Sequence, residues 1–293
     1  MHFSEKISIG LIQTYCETDG SENIKRHKAL IRQAAEKGAQ IVCLQELFHT
    51  LYFCASYDEN FFELAESVQS DMIAGFGGLA AELEVVLILP FFERRAKGIY
   101  HNSLTVIDAD GRNLGLYRKM HIPDDPGFYE KYYFTPGDND TGYRIFDTRF
   151  GKIGALICWD QWYPEAARVT ALKGADILFY PTAIGTLPTE GKEQQSKYHN
   201  AWETIQRSHA IANGCFVASV NRVGQEKEAT FWGGSFVAGP FGEILAKAGN
   251  EEEILVQEVD LSAIEKQRQT WPFLRDRRID SYSSILKRYD DEE

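Results

Sequence analysis

The sequence is poor in the features that would settle its class at once. Its five cysteines (Cys16, Cys43, Cys54, Cys158, Cys215) are odd in number and scattered, with no Cys-x-x-Cys pair. That excludes a disulfide framework and points to free thiols in a reducing, cytoplasmic setting. No apolar run approaches the roughly 20 residues needed to span a bilayer. The start, Met1 to Lys6, lacks the basic flank and long apolar stretch of a signal peptide. Basic residues are in deficit, 31 against 43 acidic, for a net charge of −12. An acidic chain argues against a nucleic-acid partner. It leaves room for steering of a cationic small molecule, although acidity also serves solubility. There is no Ser/Pro-rich linker, no low-complexity tract and no repeat at solenoid spacing, so the expectation is one domain over residues 1–293. The His residues form no metal pattern, and no GxSxG elbow or phosphate-cradling glycine loop is present.

What is there is an alternation of strand and helix patterns. Strands are expected at Ile7–Gln13, Gln40–Gln45 and Val85–Phe92. A helix is expected from Ser21, read as its N-cap, to the stop at Gly38. Asp58 to Glu84 reads as helical but interrupted by Gly75, Gly77 and Gly78. Asp110-Gly111 signals a hairpin between Asn102–Asp108 and Asn113–Lys119. Met120 to Tyr143 reads as a long loop, which in a compact domain is usually functional. Further strands are expected at Arg144–Thr148, Lys152–Ile157, Ala175–Tyr180, Cys215–Asn221, Gly234–Ala238, Ile244–Ala248 and Ile254–Val259. Helices are expected at Pro164–Lys173 and Gln194–Asn213. This order predicts an α/β layered fold, in one sheet or two.

Three strand ends carry chemistry. Ile41 to Leu44 runs into Gln45-Glu46, Leu114 to Arg118 runs into Lys119, and Ile153 to Ile157 runs into Cys158. If these strands are neighbours, a carboxylate, an ammonium and a thiol converge where α/β sheets hold their sites. Glu46 would take the thiol proton, and Cys158 would attack a carbonyl carbon. Lys119 and the backbone N–H of Trp159 would stabilise the oxyanion, where one lost donor costs roughly 10²–10³ in rate. Backbone N–H groups and a following helix would favour a thiolate. A lone buried cysteine is otherwise a packing residue, which is the reading for Cys43, Cys54 and Cys215.

The segments Gln45-Glu46-Leu47-Phe48, Tyr117-Arg118-Lys119-Met120-His121-Ile122-Pro123 and Gly154-Ala155-Leu156-Ile157-Cys158-Trp159-Asp160-Gln161 resemble, in order, motifs of the nitrilase superfamily of carbon–nitrogen hydrolases. The resemblance covers about Ile7 to Asp260. It implies a four-layer α-β-β-α sandwich, a Glu46–Lys119–Cys158 triad, no metal and no cofactor. It also implies a second glutamate, Glu130, that holds Lys119 and assists proton transfer; by sequence alone Glu130 could equally be a surface loop charge. Residues 261–293 would form a C-terminal extension at a subunit interface, making the chain a homo-oligomer.

Within that superfamily, the stretches His121–Asp138, Cys158–Glu165 and Tyr180–Gly185 are most similar to enzymes cleaving a ureido group on a cationic amine. Such a substrate needs negative charge at the far end of its pocket, for which Glu190, Asp124 and Asp125 are candidates. Tyr52 and Trp162 could wall the pocket or simply pack. The alternatives are hydrolases of carbamoyl amino acids, β-ureidopropionase chemistry or aliphatic amides, and a non-catalytic scaffold of the same fold.

Overall fold

The computed structural model describes residues 5–291. Met1 to Ser4, and the last two acids of the Asp290-to-Glu293 end, lie outside them. The chain runs β1 (Lys6–Gln13), α1 (Gly20–Glu36), β2 (Ile41–Leu44), α2 (Asp71–Leu83), β3 (Val86–Ala96), β4 (Ile99–Ile107) and β5 (Asn113–Arg118). It continues with α3 (Glu130–Tyr133), β6 (Ile145–Thr148), β7 (Gly151–Ala155), α4 (Pro164–Leu172), β8 (Ile177–Pro181), β9 (Gly185–Thr186) and α5 (Lys192–Asn213). It closes with β10 (Phe216–Val220), β11 (Val223–Glu226), β12 (Ala229–Trp232), β13 (Phe236–Ala238), β14 (Ile244–Lys247), β15 (Glu253–Asp260) and α6 (Ser262–Thr270).

Two six-stranded sheets form, in the orders β15-β1-β2-β3-β4-β5 and β14-β13-β10-β8-β7-β6. They share one plan. Three parallel strands (β1, β2, β3 and β7, β8, β10) have an antiparallel strand on one side and an antiparallel pair on the other. Ile9, Leu11, Ile41 and Ile88 of the first sheet share one buried core with Ile153, Ile177, Phe179 and Val217 of the second. The opposite face of the first sheet (Val42, Leu44, Leu87, Leu89) packs on Leu30 and Ile31 of α1 and Phe76 and Leu79 of α2. Ala166 and Ala167 of α4, with Trp202 and Ala210 of α5, cover the second sheet. The layers are therefore α-β-β-α. Among the described residues, no helix is long and apolar enough to cross a membrane.

Local chemistry explains most boundaries. Pro164 opens α4, where its missing N–H costs nothing. Gly214 takes the left-handed conformation that closes α5. Two readings need correction. The cap of α1 is Asp19, not Ser21: its Oδ1 accepts the Ser21 N–H at 2.8 Å. The glycines of α2 do not interrupt it; the break lies between a 3-10 turn at Glu59–Leu64 and Asp71. Of the three, Gly77 serves packing. A Cβ on Gly111, in the β4–β5 turn, would sit 2.7 Å from the Gly77 carbonyl, so the helix crosses that turn backbone to backbone.

The sequence reading missed α3, inside the long loop, together with β9, the β11–β12 hairpin and α6. The hairpin turns at Lys227-Glu228, with Lys227 at φ 51°, and carries none of the Asn-Gly chemistry that announces such a turn. These strands form a third small sheet, β11-β12-β9, beside the mouth of the site.

Candidate active site

The three strand ends do meet. Glu46 follows β2, Lys119 follows β5 and Cys158 follows β7, and all three side chains are buried. Lys119 Nζ donates to Glu46 Oε1 at 2.8 Å and to Glu130 Oε2 at 2.6 Å. Glu130 is the first residue of α3, in the long loop, and is buried rather than a surface charge. Its other oxygen accepts the Tyr52 hydroxyl at 2.9 Å. Asn102 Nδ2 donates to Glu46 Oε1 at 2.7 Å, leaving Glu46 Oε2 buried without a partner.

Burial alone would pull Lys119 down, but Glu130 and Glu46 outweigh it and hold the ammonium well above its ordinary value. One ammonium cannot fully compensate two carboxylates. Burial, reinforced by Glu46 and opposed by Lys119, pushes Glu130 up to about 7. Burial and then the Glu130 charge raise Tyr52 well above the usual phenol, so its hydroxyl keeps its proton and donates.

Cys158 opens a 3-10 turn, Cys158–Trp162, at φ 42°, a left-handed conformation that costs energy for a residue with a Cβ. The turn is held from inside. Asp160, fully buried, accepts the Ile157 N–H at 2.9 Å, the Tyr117 hydroxyl at 2.7 Å and the His121 N–H at 3.1 Å. His121 Nδ1 lies 2.7 Å from the same carboxylate, and its ring stacks on Tyr163 at 3.6 Å. Asp160 thus ties the Cys158 turn to the strand end carrying Lys119. The expected resting thiolate is not what this setting favours. Burial, then the Glu46 charge, push the Cys158 thiol well above its ordinary value, against an opposing pull from Lys119. The α4 helix begins only at Pro164, so Cys158 is not in its first turn, where the helix dipole acts most strongly.

A cavity of about 690 Å³ opens onto Cys158 and Glu130. Its walls are aromatic: Tyr52, Phe128, Trp159, Trp162 and Trp232. Asp125 and Glu190 line it, and Asp124 does not. Glu190 Oε2 also accepts the Leu187 N–H at 2.9 Å, which folds its loop onto the cavity. No lysine, arginine or histidine is among the lining residues. Sequence reasoning missed Asn102, Trp232 and the Arg222–Glu226 pair behind Glu46. Trp232, Arg222 and Glu226 lie on or beside the hairpin that gave no turn signal.

An α-β-β-α sandwich with these side chains at its strand ends is the architecture of the nitrilase superfamily. A family model described as "Carbon-nitrogen hydrolase" matches residues 8–269, and the chain belongs to that family, an enzyme of the amidohydrolase kind. It is 46% identical over 290 residues to an N-carbamoylputrescine amidase of Solanum lycopersicum, covering 96% of this chain and 95% of that protein. It is 40% identical over 289 residues to a citrullinase of Francisella tularensis subsp. tularensis, covering 97% and 99%. Among solved structures, a carbon–nitrogen hydrolase from Helicobacter pylori G27 superposes with a TM-score of 0.93 at 52% identity, covering 97% of this chain and all of that one.

Proposed function

We propose that this enzyme hydrolyses N-carbamoylputrescine to putrescine, carbon dioxide and ammonia, with Cys158 as nucleophile. The carrying observation is the charge of the cavity: its lining carboxylates are Asp125, Glu130 and Glu190, with no lysine, arginine or histidine among the lining residues. A ureido compound ending in an ammonium suits such a pocket. A carbamoyl amino acid would meet its carboxylate with like charge, at a cost of several kcal/mol. The name of the 46%-identical tomato relative supports the same substrate. The citrullinase relative supports ureido chemistry, but citrulline also carries a carboxylate that no lining cation would meet.

The ureido carbonyl sits against Cys158. The thiol proton passes to the free Glu46 Oε2 as sulfur bonds to the carbon, so the nucleophile forms only when there is a carbon to attack. Lys119 and the Trp159 N–H stabilise the developing oxyanion. The intermediate collapses, the C–N bond to putrescine breaks, and Glu46 returns its proton to the leaving amine. Water, deprotonated by Glu46, then attacks the carbamoyl thioester, the C–S bond breaks, and the proton on Glu46 returns to the Cys158 sulfur. The released carbamate breaks down to carbon dioxide and ammonia. Glu130 holds Lys119 throughout, Tyr52 and Trp162 wall the cavity, and Asp125 and Glu190 face the distal ammonium. On this reading the enzyme supplies putrescine for polyamine synthesis.

A panel of N-carbamoylputrescine, citrulline and N-carbamoyl-β-alanine, followed by ammonia release, tests the reading. The expected kcat/KM for the first exceeds the others by roughly 10² or more, and Cys158→Ala abolishes turnover. A preference for either carboxylate-bearing compound would sink the substrate; an active Cys158→Ala would sink the mechanism.

A further inference from the structure

The chain buries a second ion pair close behind the first. Arg222, between β10 and β11, is fully buried, and Glu226 at the end of β11 is nearly so. Arg222 Nη1 donates to Glu226 Oε1 at 2.8 Å. A buried pair is rarely a net source of stability, because desolvation consumes most of the Coulomb gain. What apolar packing cannot supply is directed bonds, and this pair spends nearly all of its bonds on one loop.

Arg222 Nη2 donates to the backbone carbonyls of Glu46 at 2.7 Å and Leu47 at 3.1 Å, and Nη1 reaches the Thr50 carbonyl at 3.4 Å. Leu47 sits at φ 52°, so this turn is held where an unsupported leucine would not rest. Glu226 Oε2 accepts the Tyr52 N–H at 2.6 Å. The loop from 46 to 52 is thus gripped at both ends. One end carries the carboxylate bonded to Lys119, and the other carries the hydroxyl bonded to Glu130.

We infer that Arg222 and Glu226 are positioning residues that aim Glu46 directly and Glu130 through Tyr52. The inference rests on the roles proposed above for those two carboxylates. The planar guanidinium fork serves several carbonyls at once while keeping its ion pair; a lysine in its place keeps the charge but not the fork. Aim matters because misplacing a proton acceptor by about 1 Å costs on the order of 10²-fold in rate.

The test uses the full chain with Arg222→Lys and Glu226→Gln. Initial rates on N-carbamoylputrescine are normalised to the Cys158 alkylated per chain, which counts competent sites. Arg222→Lys is expected to lower kcat per site by roughly 10- to 100-fold with KM changed less than about threefold. Glu226→Gln keeps the volume and is expected to lower kcat per site less, while displacing the acid limb of kcat that Glu130, pushed up to about 7, is expected to set. A kcat per site within twofold of the parent in both variants, or a loss fully accounted for by missing sites, overturns the inference. If Arg222→Lys does not fold, Glu226→Gln decides alone by the same criteria. Cys158→Ala, which has no thiol at the site to count and is read per total chain, separates the two claims: if it is active, the nucleophile assignment fails, whereas if it is dead and both variants turn over normally, only the positioning role fails.

Discussion

At the scale of single residues, the site works by crowding charges that water would otherwise separate. Lys119 and its two carboxylates share one dry space, and burial, with the Glu46 charge added and Lys119 opposing, pushes Glu130 up to about 7, above the usual carboxylate range. Its ionised form accepts both the Lys119 ammonium and the Tyr52 hydroxyl. Once protonated, it must give up one of those acceptor positions. Activity should therefore fall as pH drops through about 7 and be retained above it. In Glu130→Gln that limb should vanish and the plateau fall by roughly 10². A pH–kcat profile of the two proteins checks this; a limb near 7 that survives in Glu130→Gln assigns it to another group. The residue types were legible from chain order alone, since each stands at a strand end. The resting state of Cys158 was not: local sequence suggested stabilising N–H groups, but burial and the Glu46 charge, both supplied by distant segments, decide it.

At the scale of elements, the strand that carries Cys158 is seated by contacts too close for a methyl group. A Cβ on Gly154 in β7 would lie 2.3 Å from Thr170 Cγ2 of α4 and 3.0 Å from Leu178 Cδ2 of β8. Gly154→Ala must push helix and strand apart, an overpacking that costs about 1–3 kcal/mol. Its thermal midpoint should fall, and kcat should fall with it because the displaced strand leads into the turn that holds the nucleophile; an unchanged midpoint would show that the layers give way freely. The long strands, α1, α4 and α5 were readable because their apolar periods and their Pro and Gly stops are local signals, although the cap of α1 lay two residues before the one read. The β11–β12 hairpin was not, because nothing about Lys227-Glu228 marks a reversal and the partner β9 is only two residues long. Yet that hairpin brings Glu226 and Trp232 to the site. The loop holding Glu130 is likewise ordered by contacts between segments: Tyr133 and Phe134 pack with Phe53 and Phe92 in a separate apolar cluster.

At the scale of the whole molecule, the C-terminal segment beyond α6 is out of keeping with the rest. Ile279 is 73% exposed and Leu286 89%, and Trp271 and Phe273 are exposed as well. Large apolar side chains exposed in this number along one segment mark an interaction surface, and we propose that a second copy of the chain covers the segment in a homo-oligomer. Light scattering on the purified protein should give a mass that is a multiple of 33.3 kDa, and ending the chain before Trp271 should reduce it. A full-length monomer at micromolar concentration refutes the proposal. The sequence by itself determined the alternation of elements, the order of the acid, amine and thiol, and the family, because periodicity, caps and short motifs are written in contiguous residues. Only the tertiary structure decided that Glu130 is buried on Lys119, that Arg222 and Glu226 grip the loop of Glu46, and that Asp125 but not Asp124 faces the cavity. Each of these depends on which distant segments share a dry space, and no local pattern encodes that.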